Sequence, residues 1–225
     1  MKRAALSTLV LALVAPVAAP AAAQLAGMPV WNNPKGGTGV TISGDLGVPN
    51  QDGGNGTAYG GRASVGIGTL TLTAGVTTWK PENFNKSTTS FGGTAAFRLI
   101  GGSLVPLAIN LQAGAATSKE ITSGTATFYQ SATVTGALGI SVNVPTPGFN
   151  IEPYVSPGLR FHKLSNTPAS LDDTDSNFGF TIGANVGLGL IGLHLAYDYE
   201  KYDNGAKVGI FGLGAHIGLR APVGM

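Results

Sequence analysis

The sequence contains no cysteine, few charged residues and, after residue 23, no apolar run long enough for a transmembrane helix. The lack of cysteine excludes thiol catalysis, cysteine-ligated zinc and disulfide bonds. Charged residues make up 11% of the chain, less than half of the share of about 25% found in soluble domains. Helical periodicity is also missing, because the 35 glycines and many serines and threonines interrupt every candidate helical face.

The first 23 residues have the three parts of a secretory signal peptide. Lys2 and Arg3 form a basic start, Ala4–Ala15 is apolar, and Ala21–Ala23 offers small residues for cleavage before Gln24. A membrane anchor is the alternative, but this apolar run is shorter than the roughly 20 residues that a spanning helix needs. We therefore predict that this segment is removed. Without its two basic residues, 11 basic residues balance 11 acidic ones, so no basic surface for nucleic acid is expected.

Apolar and polar residues alternate with a period of two along the rest of the chain, as in Val40–Leu46 and Leu193–Glu200. This period is typical of β-strands that have one apolar face. Ten segments with this pattern are predicted strands: 40–46, 59–67, 70–77, 90–99, 107–114, 131–141, 151–162, 178–186, 193–200 and 213–220.

The connectors between the predicted strands alternate in character. Polar, charged connectors occupy 49–57, 80–88, 117–127, 164–177 and 201–206, whereas connectors built mostly from glycine, proline and small residues occupy 68–69, 101–106, 143–149 and 189–190. Outer-membrane barrels show this asymmetry between long outer loops and tight periplasmic turns. We predict an all-β fold, a transmembrane up-and-down antiparallel β-barrel of ten strands, with eight strands as the alternative. The barrel is predicted over residues 37–220, with residues 1–23 as the cleaved signal peptide, 24–36 as a periplasmic N-terminal arm or partial plug, and 221–225 as a C-terminal tail.

All eight charged residues within the predicted strands fall on the polar face: Asp45, Arg62, Arg98, Glu152, Arg160, Asp198, Glu200 and Arg220. A cation on the lipid face near the midplane would cost about 2–4 kcal/mol, so we assign the polar face to the lumen. Unpaired charges in a confined space are costly, and four arginines with four carboxylates predict a ladder of lumenal ion pairs. A soluble secreted β-sandwich or adhesin is the alternative, but its outer face would be rich in lysine and glutamate.

Eight aromatic residues have the parity of the apolar face and lie at the loop-rich ends of their strands: Tyr59, Phe91, Phe128, Phe161, Phe178, Phe180, Tyr199 and Phe211. Up-and-down topology brings these strand ends to one side of the barrel. The pattern therefore predicts an aromatic belt at the outer membrane interface.

The sequence resembles the small bacterial outer-membrane β-barrel families of the OmpA, OmpX and OmpW type, most clearly in Pro153–Leu159, Leu193–Tyr199 and Gly212–Leu219. Many members end in an aromatic residue read by the assembly machinery, whereas this chain ends in Arg220–Met225. The resemblance implies a Gram-negative outer membrane, contacts with its lipid and lipopolysaccharide and with the barrel-assembly machinery, and no cofactor. These families include structural barrels, passive pores, adhesion proteins and a few enzymes, so the resemblance does not select an activity.

Two groups of histidines are candidates for chemistry. His162 faces inward near the outer end of its strand, and Asp198 and Glu200 are predicted at the same height. A histidine oriented by a carboxylate can activate water, so a hydrolase or lipid-modifying site at the rim is one hypothesis. His194 and His216 are predicted on adjacent strands, but a two-histidine metal site lacks an evident third ligand.

Three other motifs occur in the predicted barrel. Asp173–Asn177 begins like a calcium-binding loop, but Phe178 and Ala184 occupy the required Gly and Glu positions, so a solvated acidic loop is expected. The G-x-G-x-x-G pattern of 187–192 opens no helix and indicates a turn. Pro153 and Pro157 both omit a ladder hydrogen bond towards one neighbour, which predicts either lateral access for a lipid or a bulge.

The sequence favours a non-enzymatic integral outer-membrane protein, either structural or a narrow passive pore for small polar solutes. The alternatives are the rim hydrolase that uses His162 and the soluble β-sandwich or adhesin.

Overall fold

The computed structural model describes residues 24–31, 38–102, 105–123, 126–128, 130–165 and 174–219. The predictions for the signal peptide, for residues 32–36 and for the C-terminal tail fall outside these ranges. Within them all regular structure is β-strand. No helix in these ranges is both long and apolar enough to cross a membrane.

Ten long strands build the molecule. They are β1 (Gly39–Pro49), β2 (Thr57–Ile67), β3 (Leu70–Lys80), β4 (Thr88–Gly102), β5 (Val105–Ser118), β8 (Gln130–Val142), β10 (Phe149–Ser165), β11 (Thr174–Leu188), β12 (Ile191–Lys201) and β13 (Lys207–Leu219). Three short strands complete the chain: β6 (Ile121–Ser123), β7 (Ala126–Phe128) and β9 (Val144–Thr146).

The long strands form one closed antiparallel sheet. Each pairs with the next long strand along the chain, and β1 pairs with β13, from Val40 opposite Leu219 to Pro49 opposite Ile210. Closure leaves no exposed sheet edge, which is the condition for a sheet to span lipid. The predicted ten-stranded barrel is confirmed, and the eight-stranded alternative is wrong.

The short strands and strand ends differ from the predicted connectors. The predicted loop 117–127 contains most of the hairpin of β6 and β7, and β9 pairs with the start of β10. The β10–β11 ladder continues past the apolar band to His162 opposite Asp175 and Lys163 opposite Thr174. Backbone pairing does not need apolar side chains, so the strands continue into segments whose composition indicates a loop.

The two faces of the barrel wall have opposite character. In β12, Leu193 is 50% exposed and Leu195 43% exposed, whereas His194 between them is 4% exposed. The same alternation places large apolar side chains on the outside and polar ones inside around the whole ring. The apolar rows do not pack against one another in a dry centre, as they would in a soluble sandwich. They form the surface that faces lipid in a transmembrane barrel.

Tight turns and irregularities lie at the short-connector end. Gly68 and Gly189 have φ of 62° and 70° in two-residue turns, a conformation that glycine adopts at no steric cost. A register shift between Arg98 and Ile100 interrupts the β4–β5 ladder, and Leu99 and Ile100 are both exposed. This β-bulge adds curvature near the end of the barrel.

The β8–β10 pairing is interrupted at the two prolines. Tyr154 and Val155 pair with β8, and pairing resumes only at Gly158, whereas Asn150 and Ile151 pair with β9. Pro153 and Pro157 remain paired with β11. The interruption agrees with the predicted omission of ladder hydrogen bonds towards one neighbour, because neither proline has an N–H to donate.

Residues 24–31 lie inside the barrel. Met28 is fully buried, Leu25 and Val30 are 7% and 4% exposed, and Thr77 Oγ1 donates to the carbonyl of Ala26 at 3.3 Å. The prediction of a periplasmic arm is thus wrong for these residues, which fill the lumen as in the partial-plug alternative. The physical reason is burial, because an arm would leave these apolar side chains in water.

Inward-facing glycines make room for this segment, which we call the lumen segment. A Cβ on Gly47 would collide with the carbonyl of Gly27, and a Cβ on Gly212 would approach Pro29 Cγ to 2.5 Å. The only hydrophobic cluster in the described residues forms where the lumen segment meets the wall: Leu25, Met28, Ala58, Trp79, Ala115 and Ala116. The apolar side chains of the lumen segment and the room left by the inward glycines position this segment in the outer half of the lumen.

Substitution of Leu111 by arginine tests the orientation of the wall. Leu111 is 52% exposed halfway along β5, and Leu111→Arg should reduce the free energy of unfolding in lipid vesicles by about 2–4 kcal/mol. Leu107→Arg, on the same face near the periplasmic end, should cost about 1 kcal/mol or less. Urea titration of the refolded protein in vesicles measures both, and equal costs would contradict the assigned membrane position.

Candidate functional site

The outer half of the lumen contains a buried ion-pair network that we call the Arg160 cluster: Arg160, His162, Asn177, Thr181, Asp198 and Glu200. Arg160 donates through both terminal nitrogens to the carboxylate of Asp198, one contact measuring 3.0 Å, and through Nη1 to Glu200 Oε2 at 3.3 Å. Arg160, Asp198 and Glu200 are 3%, 1% and 0% exposed. A bidentate arginine with two carboxylates is the arrangement in which buried charges are best satisfied.

Neutral donors complete the coordination of both carboxylates. Thr181 Oγ1 donates to Asp198 Oδ2 at 3.1 Å, and Asn177 Nδ2 donates to Glu200 Oε1 at 3.0 Å. The backbone N–H of Val30 also donates to Asp198 Oδ2 at 2.8 Å. The lumen segment is therefore bound to the ion-pair network and does not simply fill space.

His162 lies at the outer edge of the Arg160 cluster. Its Nε2 is 2.6 Å from Glu200 Oε1, and its Nδ1 is 3.1 Å from the hydroxyl of Thr133. Tyr202 packs on the imidazole with ring centroids 5.4 Å apart. Burial and the neighbouring Glu200 raise the pKa of the Tyr202 phenol, so this hydroxyl keeps its proton.

A second network, the Asp45 cluster, lies closer to the periplasmic end and consists of Trp31, Asp45, Arg62, His194 and His216. Arg62 donates to Asp45 through Nε at 2.6 Å and through Nη2 at 3.0 Å. His194 Nε2 donates to Asp45 Oδ1 at 2.6 Å, because a carboxylate only accepts. The ring centroid of Trp31 is 5.0 Å from Arg62 Cζ. The same ring packs edge-on against the imidazole of His194, with the two centroids 4.6 Å apart.

The two histidines considered as metal ligands contact each other. Their Nδ1 atoms are 3.1 Å apart and the rings stack at 5.4 Å. His194 has its other nitrogen on Asp45. No group of three or more metal-ligating side chains occurs in the part of the chain that the structure describes.

The predicted ladder of eight charges is instead divided. The structure brings Asp45 and Arg62 into one cluster and Arg160, Asp198 and Glu200 into the other. Glu152 is 4% exposed and accepts from Ser141 Oγ at 2.7 Å, and Arg98 Nη2 donates to the carbonyl of Gly68 at 3.2 Å. Arg220 lies outside the described residues. The Arg62 and Arg160 ion pairs of the predicted ladder thus fall into two groups at different heights, because strand register sets the height of each charge and parity alone does not.

The predicted aromatic belt residues take three kinds of position. Five are on the outer face with exposed fractions between 47% and 63%: Tyr59, Phe91, Phe161, Phe178 and Phe211. Phe180 and Tyr199 are half-buried against each other, with centroids 5.4 Å apart. The backbone of Phe128 lies in the β6–β7 hairpin and not on a long strand. Tyr197, which the prediction omitted, is 42% exposed opposite Phe211.

Of the remaining motifs, the acidic segment 173–177 contributes Asn177 to the Arg160 cluster through its bond to Glu200. Asp173 lies outside the described residues, and Asp175 and Asn177 belong to β11. The G-x-G-x-x-G pattern of 187–192 is the turn between β11 and β12, as predicted.

The partial-plug alternative covered Val30 and Trp31, but neither residue was among the predicted site residues. A signal was present, because Leu25, Met28, Val30 and Trp31 are too apolar for an exposed arm. The contact of Val30 with Asp198 involves a backbone N–H, which no residue pattern marks.

A cavity of about 450 Å³ opens at the outer end, above the lumen segment. Its lining includes Leu25, Trp79, Phe84, His162, Tyr202 and Ile210. Trp79 is fixed by its indole N–H, which donates to the carbonyl of Asn55 at 3.0 Å. His162 of the Arg160 cluster borders this cavity, together with its hydrogen-bond partner Thr133.

Solved structures similar to this chain are outer-membrane β-barrel proteins. The outer membrane enzyme PagL has 11% identity and a TM-score of 0.43, covering 80% of this chain and 99% of PagL. The N-terminal barrel of OprF from Pseudomonas aeruginosa has 15% identity and a TM-score of 0.37, covering 82% and 99%. The outer membrane protease OmpT from Escherichia coli has 10% identity and a TM-score of 0.40, covering 81% and 94%.

These similarities concern the fold. No family model matches the chain, and no curated protein matches it. The fold is that of a transmembrane β-barrel of the outer membrane.

Removing the charge of Arg160 tests the Arg160 cluster. Arg160→Met leaves two buried carboxylates without their cation, so the free energy of unfolding should fall by about 3–5 kcal/mol. The matched control Arg98→Met removes an arginine that is only partly buried, and should cost about 1 kcal/mol or less. Urea unfolding from vesicles measures both variants. Equal small losses would show that the buried network contributes little to stability.

Proposed function

We propose that the protein is a non-enzymatic integral protein of the Gram-negative outer membrane whose lumen is closed at rest by its own residues 24–31. Of the two forms predicted from sequence, this favours the structural barrel over the freely open pore. The proposal includes removal of residues 1–23 on export and insertion by the barrel-assembly machinery. The mature chain would then begin at the lumen segment.

The burial and bonding of the lumen segment support this proposal. Met28 and Pro29 are less than 2% exposed, and the Val30 N–H donates to Asp198 inside the Arg160 cluster. Trp31 contacts Arg62 and His194 in the Asp45 cluster. The segment thus contacts both charged networks inside the barrel, and these contacts support a lumen that is closed at rest.

Conductance of the mature protein in planar bilayers tests the closed lumen. We expect rare, brief openings for the natural chain and steady conductance after deletion of residues 24–31. Met28→Asp, which places a charge at a fully buried position, should also open the lumen. Thr122→Asp is the matched control, because Thr122 is exposed in the β6–β7 hairpin.

Folding of each variant is checked by heat-modifiable gel mobility, since barrels in mild detergent stay folded until boiled. Steady conductance of the natural chain would contradict the closed state. A folded deletion variant that stays closed would show that the lumen segment is not the barrier.

A second candidate function rests on the contacts of His162. Its imidazole lies between Glu200 Oε1 at 2.6 Å and the Thr133 hydroxyl at 3.1 Å, beside the outer cavity. A histidine oriented by a carboxylate can activate a hydroxyl or water for hydrolysis. Asp198, the other predicted partner, binds Arg160 instead.

Hydrolysis of lipid esters by the refolded protein tests this candidate. A rim hydrolase should lose about 100-fold or more of its rate in His162→Ala, and Thr133→Val distinguishes an activated threonine from an activated water. His216→Ala is the control, because His216 belongs to the Asp45 cluster. Absence of hydrolysis above the level of boiled protein would remove the candidate.

A further inference from the structure

Two lysines lie directly opposite each other at the outer end of the barrel. Lys201 ends β12 and Lys207 begins β13, and their Cα atoms are cross-strand partners. Both are exposed and have the outward parity of Tyr199 and Phe211. Their ammonium groups therefore project from the outer surface and not into the lumen.

The backbone around these lysines is held from two sides. The connecting turn is closed by the Tyr202 N–H, which donates to the carbonyl of Ala206 at 2.9 Å. The N–H of Lys207 donates to Asp52 Oδ2 at 2.8 Å, and its carbonyl accepts from Asn50 at 2.7 Å. The fold thus holds the backbones of two lysines directly opposite each other, so that both side chains leave the same face of the wall.

Facing like charges destabilise a strand pair, and neither lysine forms a direct ion pair with a described carboxylate. Among the described residues, no carboxylate oxygen lies within 4.0 Å of either ammonium group. The nearby Asp52 carboxylate accepts a backbone N–H of Lys207. An anion bound between the lysines would remove the repulsion through two charge-assisted hydrogen bonds.

The height of the lysine pair on the outer wall indicates that the anion is a lipid headgroup. Tyr199 lies two residues below Lys201 on the same face, about 7 Å along the strand, and the exposed Phe211 and Leu213 continue downward on β13. The lysine pair is therefore at the boundary where aromatic residues end and charged residues begin. At this boundary the headgroups of the outer leaflet lie against the wall.

Lysine is confined to this end of the described chain. All six described lysines are exposed and lie at or beyond the outer ends of the strands: Lys80, Lys86, Lys119, Lys163, Lys201 and Lys207. Described carboxylates lie at the same end, at Asp52, Glu82, Glu120, Asp175 and Asp203. What distinguishes Lys201 and Lys207 among the described lysines is that they face each other across a strand pair.

We propose that Lys201 and Lys207 bind the phosphate group of an outer-leaflet lipid whose acyl chains lie along Phe211 and Leu213. The phosphorylated lipid A part of lipopolysaccharide has this chemistry. The inference rests on the proposed function, because it requires the outer membrane. Tyr197 belongs to the same outer surface as Phe211. Its hydroxyl lies over Gly209, and a Cβ built on Gly209 would be only 2.5 Å from the hydroxyl oxygen.

Native mass spectrometry of the full mature protein in phosphate-free detergent tests the site, with diphosphorylated lipid A as the probe. The double variant Lys201→Gln/Lys207→Gln should bind about tenfold more weakly or worse, because it loses two charge-assisted hydrogen bonds. Lys86→Gln/Lys119→Gln removes the same charge from lysines that are not cross-strand partners, and should remain within about twofold.

Three outcomes would overturn the proposal. Equal losses in the two double variants would show that only net charge matters. Unchanged binding in both would remove the site. Inorganic phosphate that binds as tightly as lipid A would make the ligand a free anion. Heat-modifiable mobility and insertion into vesicles are measured in parallel, so that failure of the outer-membrane assignment is seen separately from failure of this site.

Discussion

The need to pair backbone N–H and C=O groups within the wall is the constraint on which this structure depends. Hydrocarbon offers no hydrogen-bond partners, so a sheet can cross it only as a closed ring. Here the last strand, β13, pairs with β1 over ten residue pairs. Once the ring is closed, the two-residue period sends alternate side chains to lipid and to the lumen, and all other features of the molecule follow from that division.

Inside the ring, the limiting factor is the cost of confined charge. The described lumen contains two compact ionic networks, each with an arginine bound bidentately by an aspartate. Neutral donors such as Thr181 and Asn177 occupy the remaining carboxylate oxygens. The lumen segment uses these networks as attachment points, because Asp198 accepts the Val30 N–H and the Asp45 cluster contacts Trp31. The proposed closure of the lumen therefore depends on the same buried networks that satisfy the lumenal charges.

The outer end shows a different balance. There the strands pass beyond the apolar band, and the charges at their tips project into solvent and headgroups. Lys201 and Lys207 are brought together by the short turn 202–206 and by hydrogen bonds from the β1–β2 loop. Inside the lumen, cations have protein counterions; at this pair, the proposed counterion comes from the membrane. The same ring therefore presents charged sites of two kinds, separated by the aromatic residues.

The amino-acid sequence alone determined the fold class, the number of long strands and the inward direction of Asp45, Arg62, Arg160, Asp198 and Glu200. These properties depend on a local period and on turn composition, which can be seen in short windows of sequence. Tertiary structure alone decided that Arg160 binds Asp198 and that residues 24–31 enter the barrel. Such pairings depend on the register of strands that are distant in sequence, and on space left by inward glycines such as Gly47 and Gly212. Neither register nor free volume is encoded in any one segment, since both arise only when the ring closes.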